Sequence, residues 1–248
     1  MRSGRLMRLL FFVLLILSFD TESKVPEPSY GLPELASEAW IKELNSKKRA
    51  KVMTPSVARK MQKVLEALDE AGILEQEKAL LKKEKKDKEA EAKDKEIAKA
   101  VANGQRELDD LKPRLASLKS YDRSMYYYYQ SYYNLAYQDK ISDAIINYIN
   151  VVNEEDTSEK LRVEAYYVLA QLYLSESNYK SGVDYLLRWF KNTGEIKPDG
   201  YVLLGQAYYL LADKESTKSK ALASKQKAYN NVLEAKRLAD EKQIKFRE

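Results

Sequence analysis

The pattern Tyr166-x-x-Leu169-Ala170-x-x-Tyr173 returns as Tyr201-x-x-Leu204-Gly205-x-x-Tyr208, with every matched position displaced by 35 residues. This recurrence constrains the chain more than any other feature. A unit of that length is one helix-turn-helix, and it buries its apolar face only by stacking on a neighbour. The matched residues fall on one face of a first helix. Its small residue lets a second helix approach closely, and the large ones fill the gap to the next unit. Gly182 and Leu186 on the second helix and Pro198 at its end complete the first unit. Only 8 glycines and 6 prolines punctuate 248 residues, and long β-branched runs are missing, so the fold class is all-α.

A weaker unit precedes these two. A helix over 125–137 leads to a second helix, SDAIINYINVV, that carries Ala144 and Tyr148, and a longer connection over 153–158 runs to Leu161. Further upstream, 34–47 and 55–71 read as helices. The second opens at Thr54-Pro55-Ser56, presents Val57, Met61, Val64, Leu65 and Leu68 on one face, and stops at Ala71-Gly72. It is a candidate first helix of the array, its partner displaced by a charged insertion.

That insertion, KKEKKDKEAEAKDKE over 82–96, has no large apolar residue and so no face with which to enter a core. Glu84 with Lys88, Glu89 with Lys93 and Glu91 with Lys95 stand at i,i+4, each pair worth about 0.2–0.5 kcal/mol in a helix. Segment 75–120 is therefore either a solvated helix or a disordered spacer, and its interleaved acids argue against a basic arm for nucleic acid or lipid. Leu108, Leu111, Leu115 and Leu118 offer a short seam or capping helix interrupted by Pro113. After Leu211 the repeat fades. The lysine-rich 214–227 stands where a second helix belongs, and 226–246 is expected to cap the stack. The resulting plan is N-terminal helices over 36–74, the charged segment over 75–120, a repeat array over 121–213 and a C-terminal cap over 214–248.

Arg2, Arg5 and Arg8 precede an 11-residue apolar run, Leu9 to Phe19, which is the layout of an export signal. The run is shorter than the roughly 20 residues of a membrane span. Thr21 and Ser23 can serve as the small residues of a cleavage site, giving a signal peptide over 1–23; an uncleaved anchor is the competing reading. Residues 24–35, with three prolines and a glycine, form a linker.

The chain has no Cys and no His, which removes disulfides, thiol nucleophiles, imidazole bases and the usual zinc and haem sites. Most of its carboxylates lie in charge runs, so an enzyme is not expected, nor a cofactor, a metal site or a small-molecule substrate. Loss of residues 1–23 takes the net charge from +5 to +4, which bears on solubility and does not mark a nucleic-acid partner.

Tyrosine is concentrated, with 8 of 19 between 121 and 137. Tyr166, Tyr173, Tyr201 and Tyr208 occupy packing positions of the repeat. One residue beyond the first aromatic, and at helical spacing from it, Tyr129, Tyr133, Tyr137, Tyr167, Gln171, Val202, Gln206 and Tyr209 would line a concave groove. Tyrosines and amides there suit an extended peptide or a partner helix. For the earliest three, burial in a core is the alternative.

The repeat resembles that of the tetratricopeptide (TPR) class. The stretch RVEAYYVLAQLYLSESNYKSGVDYLLRWFKNTGEIKPDGYVLLGQAYYLLAD, with SVARKMQKVLEALDEAG and DKISDAIINYINVV, resembles the periplasmic TPR proteins encoded with some TonB energy-transduction systems of Gram-negative bacteria. The resemblance covers about 50–72 and 125–212. It implies a TPR superhelix, a periplasmic location, and a scaffold accessory to TonB-dependent uptake with the TonB complex as partner. An envelope-assembly or secretion adaptor and a membrane-anchored spacer are the rival readings.

Overall fold

The structure, a computed structural model, describes residues 52–194 and 197–241. The readings placed on 1–23, 24–35 and 34–47 lie outside the described residues. Among those described, the chain forms eight α-helices and a short 3-10 helix, and each α-helix packs against its chain neighbour as one of four pairs. Two compact units divide after Ser158.

The first unit opens with α1 (Pro55–Lys83), whose proline sits in the first turn, where its missing N–H costs nothing. The helix runs a dozen residues past the expected stop at Ala71-Gly72. Ala71 and Leu74 continue the buried face begun by Val57, Met61, Val64 and Ala67, and that contact outweighs the roughly 1 kcal/mol penalty of a helical glycine. A tight turn with Lys85 in the left-handed region (φ 60°) then reverses the chain into α2 (Asp87–Asp109).

The charged segment is thus a structural partner of α1, not a free spacer. Alanine makes this possible: Ala90 and Ala100 are buried, and Ala100 joins Ala71 and Leu74 in one cluster with Ile97 and Val101 beside it. The expected i,i+4 pairs give way to bridges across the hairpin. Lys93 reaches Glu77 at 2.8 Å, Lys78 pairs with Asp94, and Lys60 holds Glu107 (2.9 Å) and Asp110 (3.0 Å), the crossing order of antiparallel helices.

The leucine run forms neither seam nor cap. Leu108 at the end of α2 and Leu111 just beyond it are fully buried, and Pro113 sits in the first turn of a 3-10 helix (Lys112–Ser117) that follows. Then α3 (Ser120–Ala136) and α4 (Ile141–Asn153) form the next pair. Arg123 of α3 grips Glu154 with two bonds of 2.6 and 2.7 Å.

The second unit contains α5 (Glu159–Ser175), α6 (Tyr179–Asn192), α7 (Pro198–Ala212) and α8 (Lys218–Glu241). Asn178 caps α6 by accepting a hydrogen bond from the Ser181 N–H. One core runs from Ala170, Val183 and Leu186 through Phe190, Tyr201 and Leu204 to Ala228 and Leu238. From Lys218 onward the lysine-rich stretch belongs to α8, a continuous helix packed along α7 as its pair. Its buried side is built mainly of small residues (Ser224, Ala228, Ala235, Ala239) with Asn231, Glu234 and Leu238, too weak a stripe to stand out in sequence.

Candidate protein-binding surfaces

In the first unit, the residues expected on a groove divide by burial. Tyr133 is fully buried and belongs to the core with Met61, Val64, Leu108 and Tyr126; the helices of the first pair lie over it. It is unavailable to a partner, which corrects its assignment as a groove residue. Burial and the neighbouring Tyr132 push its hydroxyl up to about 12. Tyr137 is half-buried against the same core, its ring 5.7 Å from that of Tyr133, and burial raises its hydroxyl further. Tyr129 is half-buried, edge-on to Tyr128 at 5.5 Å.

In the second unit, Tyr167 of α5 packs on Trp189 of α6 with ring centres 4.9 Å apart. Its hydroxyl is raised by burial and by the charge of Asp199 at the start of α7. Gln171 lies one turn on and is half-buried. Val202 leans on the core, while Gln206 and Tyr209 are exposed, Tyr209 by 56%. The accessible part of the expected surface is therefore the face of α7 that carries Gln206 and Tyr209.

The packing tyrosines behave as their positions require. Tyr201 and Tyr208 are buried, and Tyr173 stacks on Tyr185 at 5.5 Å with a 7° tilt. Arg188 lies 5.5 Å above Tyr185, and Lys227 lies 5.2 Å above Tyr208.

Sequence reading missed a cleft of about 530 Å³ in the first unit, walled by α2, α3 and α4. Side-chain amides line it. Gln105 Nε2 donates to Gln130 Oε1 (3.0 Å) and to Asp109 Oδ1 (3.0 Å); Gln138 Nε2 donates to Gln105 Oε1 (2.9 Å); Gln130 Nε2 donates to Asn134 Oδ1 (3.0 Å). The available signal was Gln130, Asn134 and Gln138 at i, i+4 and i+8, one amide per turn. Gln105, 25 residues from its partner Gln130, could be added only by folding.

No family model, curated protein or solved structure matches this chain. Among the described residues, no helix is long and apolar enough to cross a membrane, and no group of three or more metal-ligating side chains comes together.

Proposed function

We propose that this chain is a TPR-type scaffold that holds other proteins, exported to the periplasm and accessory to TonB-dependent uptake, with no catalysis of its own. The observation that carries the reading is the 35-residue recurrence together with the way its small residues are used. Gly182 of α6 comes close to Ala170 and Leu174 of α5, and Gly205 of α7 comes close to Ala228 and Val232 of α8. Ala170 and Gly205, 35 residues apart on the first helices of their pairs, are each a point of close approach by the second helix, which suits a stacked helical repeat. The basic and apolar N-terminus supports export, and the exposed Gln206 and Tyr209 supply an amide and an aromatic for a partner.

The test is photo-crosslinking in living cells from probes at Gln206 and Tyr209, with Lys180 on the exposed part of α6 as control. Capture of TonB-complex proteins is the expected result. Capture of other envelope proteins would keep the scaffold and remove the TonB role. Adducts no different from those at Lys180 would remove the α7 face as a binding surface.

A further inference from the structure

The amide-lined cleft of the first unit is a second candidate site, on different residues from the α7 face. Asp109 is an acceptor only, so the Gln105 nitrogen must face it. That fixes the Gln105 oxygen toward Gln138, whose nitrogen must then donate. The row is held by its own hydrogen bonds before any ligand arrives. Gln105 has all four hydrogen-bonding positions filled. Gln138 retains its carbonyl oxygen and one N–H, and Gln130 retains a lone pair.

The remaining lining narrows the ligand. Lys112 and Lys140 balance Asp109 and Asp143, so the cleft selects neither an anion nor a cation. Its aromatic residue, Tyr126, is only 4% exposed and offers no ring face for a sugar to stack on. Ile146 is exposed at the wall and can meet an apolar side chain. What is left is a lining without net charge in which Gln138 offers a donor and an acceptor and Gln130 an acceptor. An extended polypeptide presents the matching groups, one N–H and one C=O per residue. The volume falls within the roughly 300–1,000 Å³ range of formed ligand sites.

We propose that this cleft binds an uncharged stretch of extended polypeptide through its main chain, with an apolar side chain against Ile146. The site goes beyond the scaffold reading and stands or falls independently of capture at Gln206 and Tyr209.

The experiment titrates the isotope-labelled full chain with the blocked peptide acetyl-Ala-Ala-Leu-Ala-amide and follows the side-chain amide NMR signals of Gln105, Gln130 and Gln138. Saturable shifts are expected. Methylating the peptide nitrogen of the leucine should weaken binding about tenfold, the equivalent of one good hydrogen bond. Gln138→Ala and, separately, Asn147→Ala, at a further side chain that lines the cleft, should each weaken it while the backbone spectrum stays folded. Absence of saturable shifts, equal binding of the methylated peptide, or shifts with maltotriose in place of the peptide would each overturn the proposal.

Discussion

The hydroxyl of Tyr133 occupies the space where a side chain on Gly104 would stand. The ring cannot swing away, because Tyr133 is fully buried, and Ala67 closes the other side at 3.0 Å. Gly104→Ala should therefore destabilise the first unit by about 1–3 kcal/mol despite its better helix propensity. The Tyr133 hydroxyl has no hydrogen-bond partner, so Tyr133→Phe should be neutral or stabilising by up to about 1 kcal/mol. Combining the two should recover more than about 0.5 kcal/mol beyond additivity in denaturant melts. Strict additivity would show that the contact is not the constraint.

Asp122 ties the start of α1 to α3. Its buried carboxylate accepts the Thr54 N–H at 2.9 Å and the Thr54 hydroxyl at 2.5 Å. Asp122→Ala should cost about 1.5–3 kcal/mol, the range for hydrogen bonds to a charged group. Thr54→Val, which keeps the backbone bond, should cost less, as measured by urea unfolding.

Two helical glycines should respond in opposite directions. Nothing lies within 4 Å of a Cβ at Gly72, so Gly72→Ala should stabilise by about 0.5–1 kcal/mol. A Cβ at Gly205 would meet the Ala228 carbonyl at 3.1 Å and Val232 at 3.0 Å, so Gly205→Val should destabilise by about 1–3 kcal/mol through separation of α7 from α8. Thermal melts of the two variants check the contrast, and hydrogen exchange should place the Gly205→Val loss in the second unit.

Glu75 makes the first unit sensitive to pH. Burial raises its carboxyl above the ordinary range, partly offset by Lys78. The native state then binds this proton more tightly than the unfolded state, so this contribution to stability falls as pH rises from the ordinary carboxylate pKa through the raised one. Glu75→Gln should raise the Tm at neutral pH and have less effect at pH 4. An equal shift at both pH values would mean that the carboxyl is not titrating differently on folding.

The all-helical class, the pairs α3/α4 and α5/α6 and the start of α7 were legible in sequence because they depend on local spacing: apolar and small residues recurring every three or four positions, punctuated by Pro198 and the turns. The groove was legible only in part. Periodicity puts Tyr133 and Tyr209 on equivalent faces, yet one is fully buried and the other exposed, because what covers a helix face is decided by helices distant in sequence.

By itself the sequence determined the all-helical class and the apolar faces of those helices that carry a periodic stripe. Tertiary structure alone decided that the charged run pairs with α1, that the lysine-rich run pairs with α7, and that Gln105 joins the amides of α3. The physical reason is common to the first two. An alanine-rich face has almost no hydrophobic signature of its own, but it allows two backbones to approach closely, and that advantage exists only when a complementary partner is present.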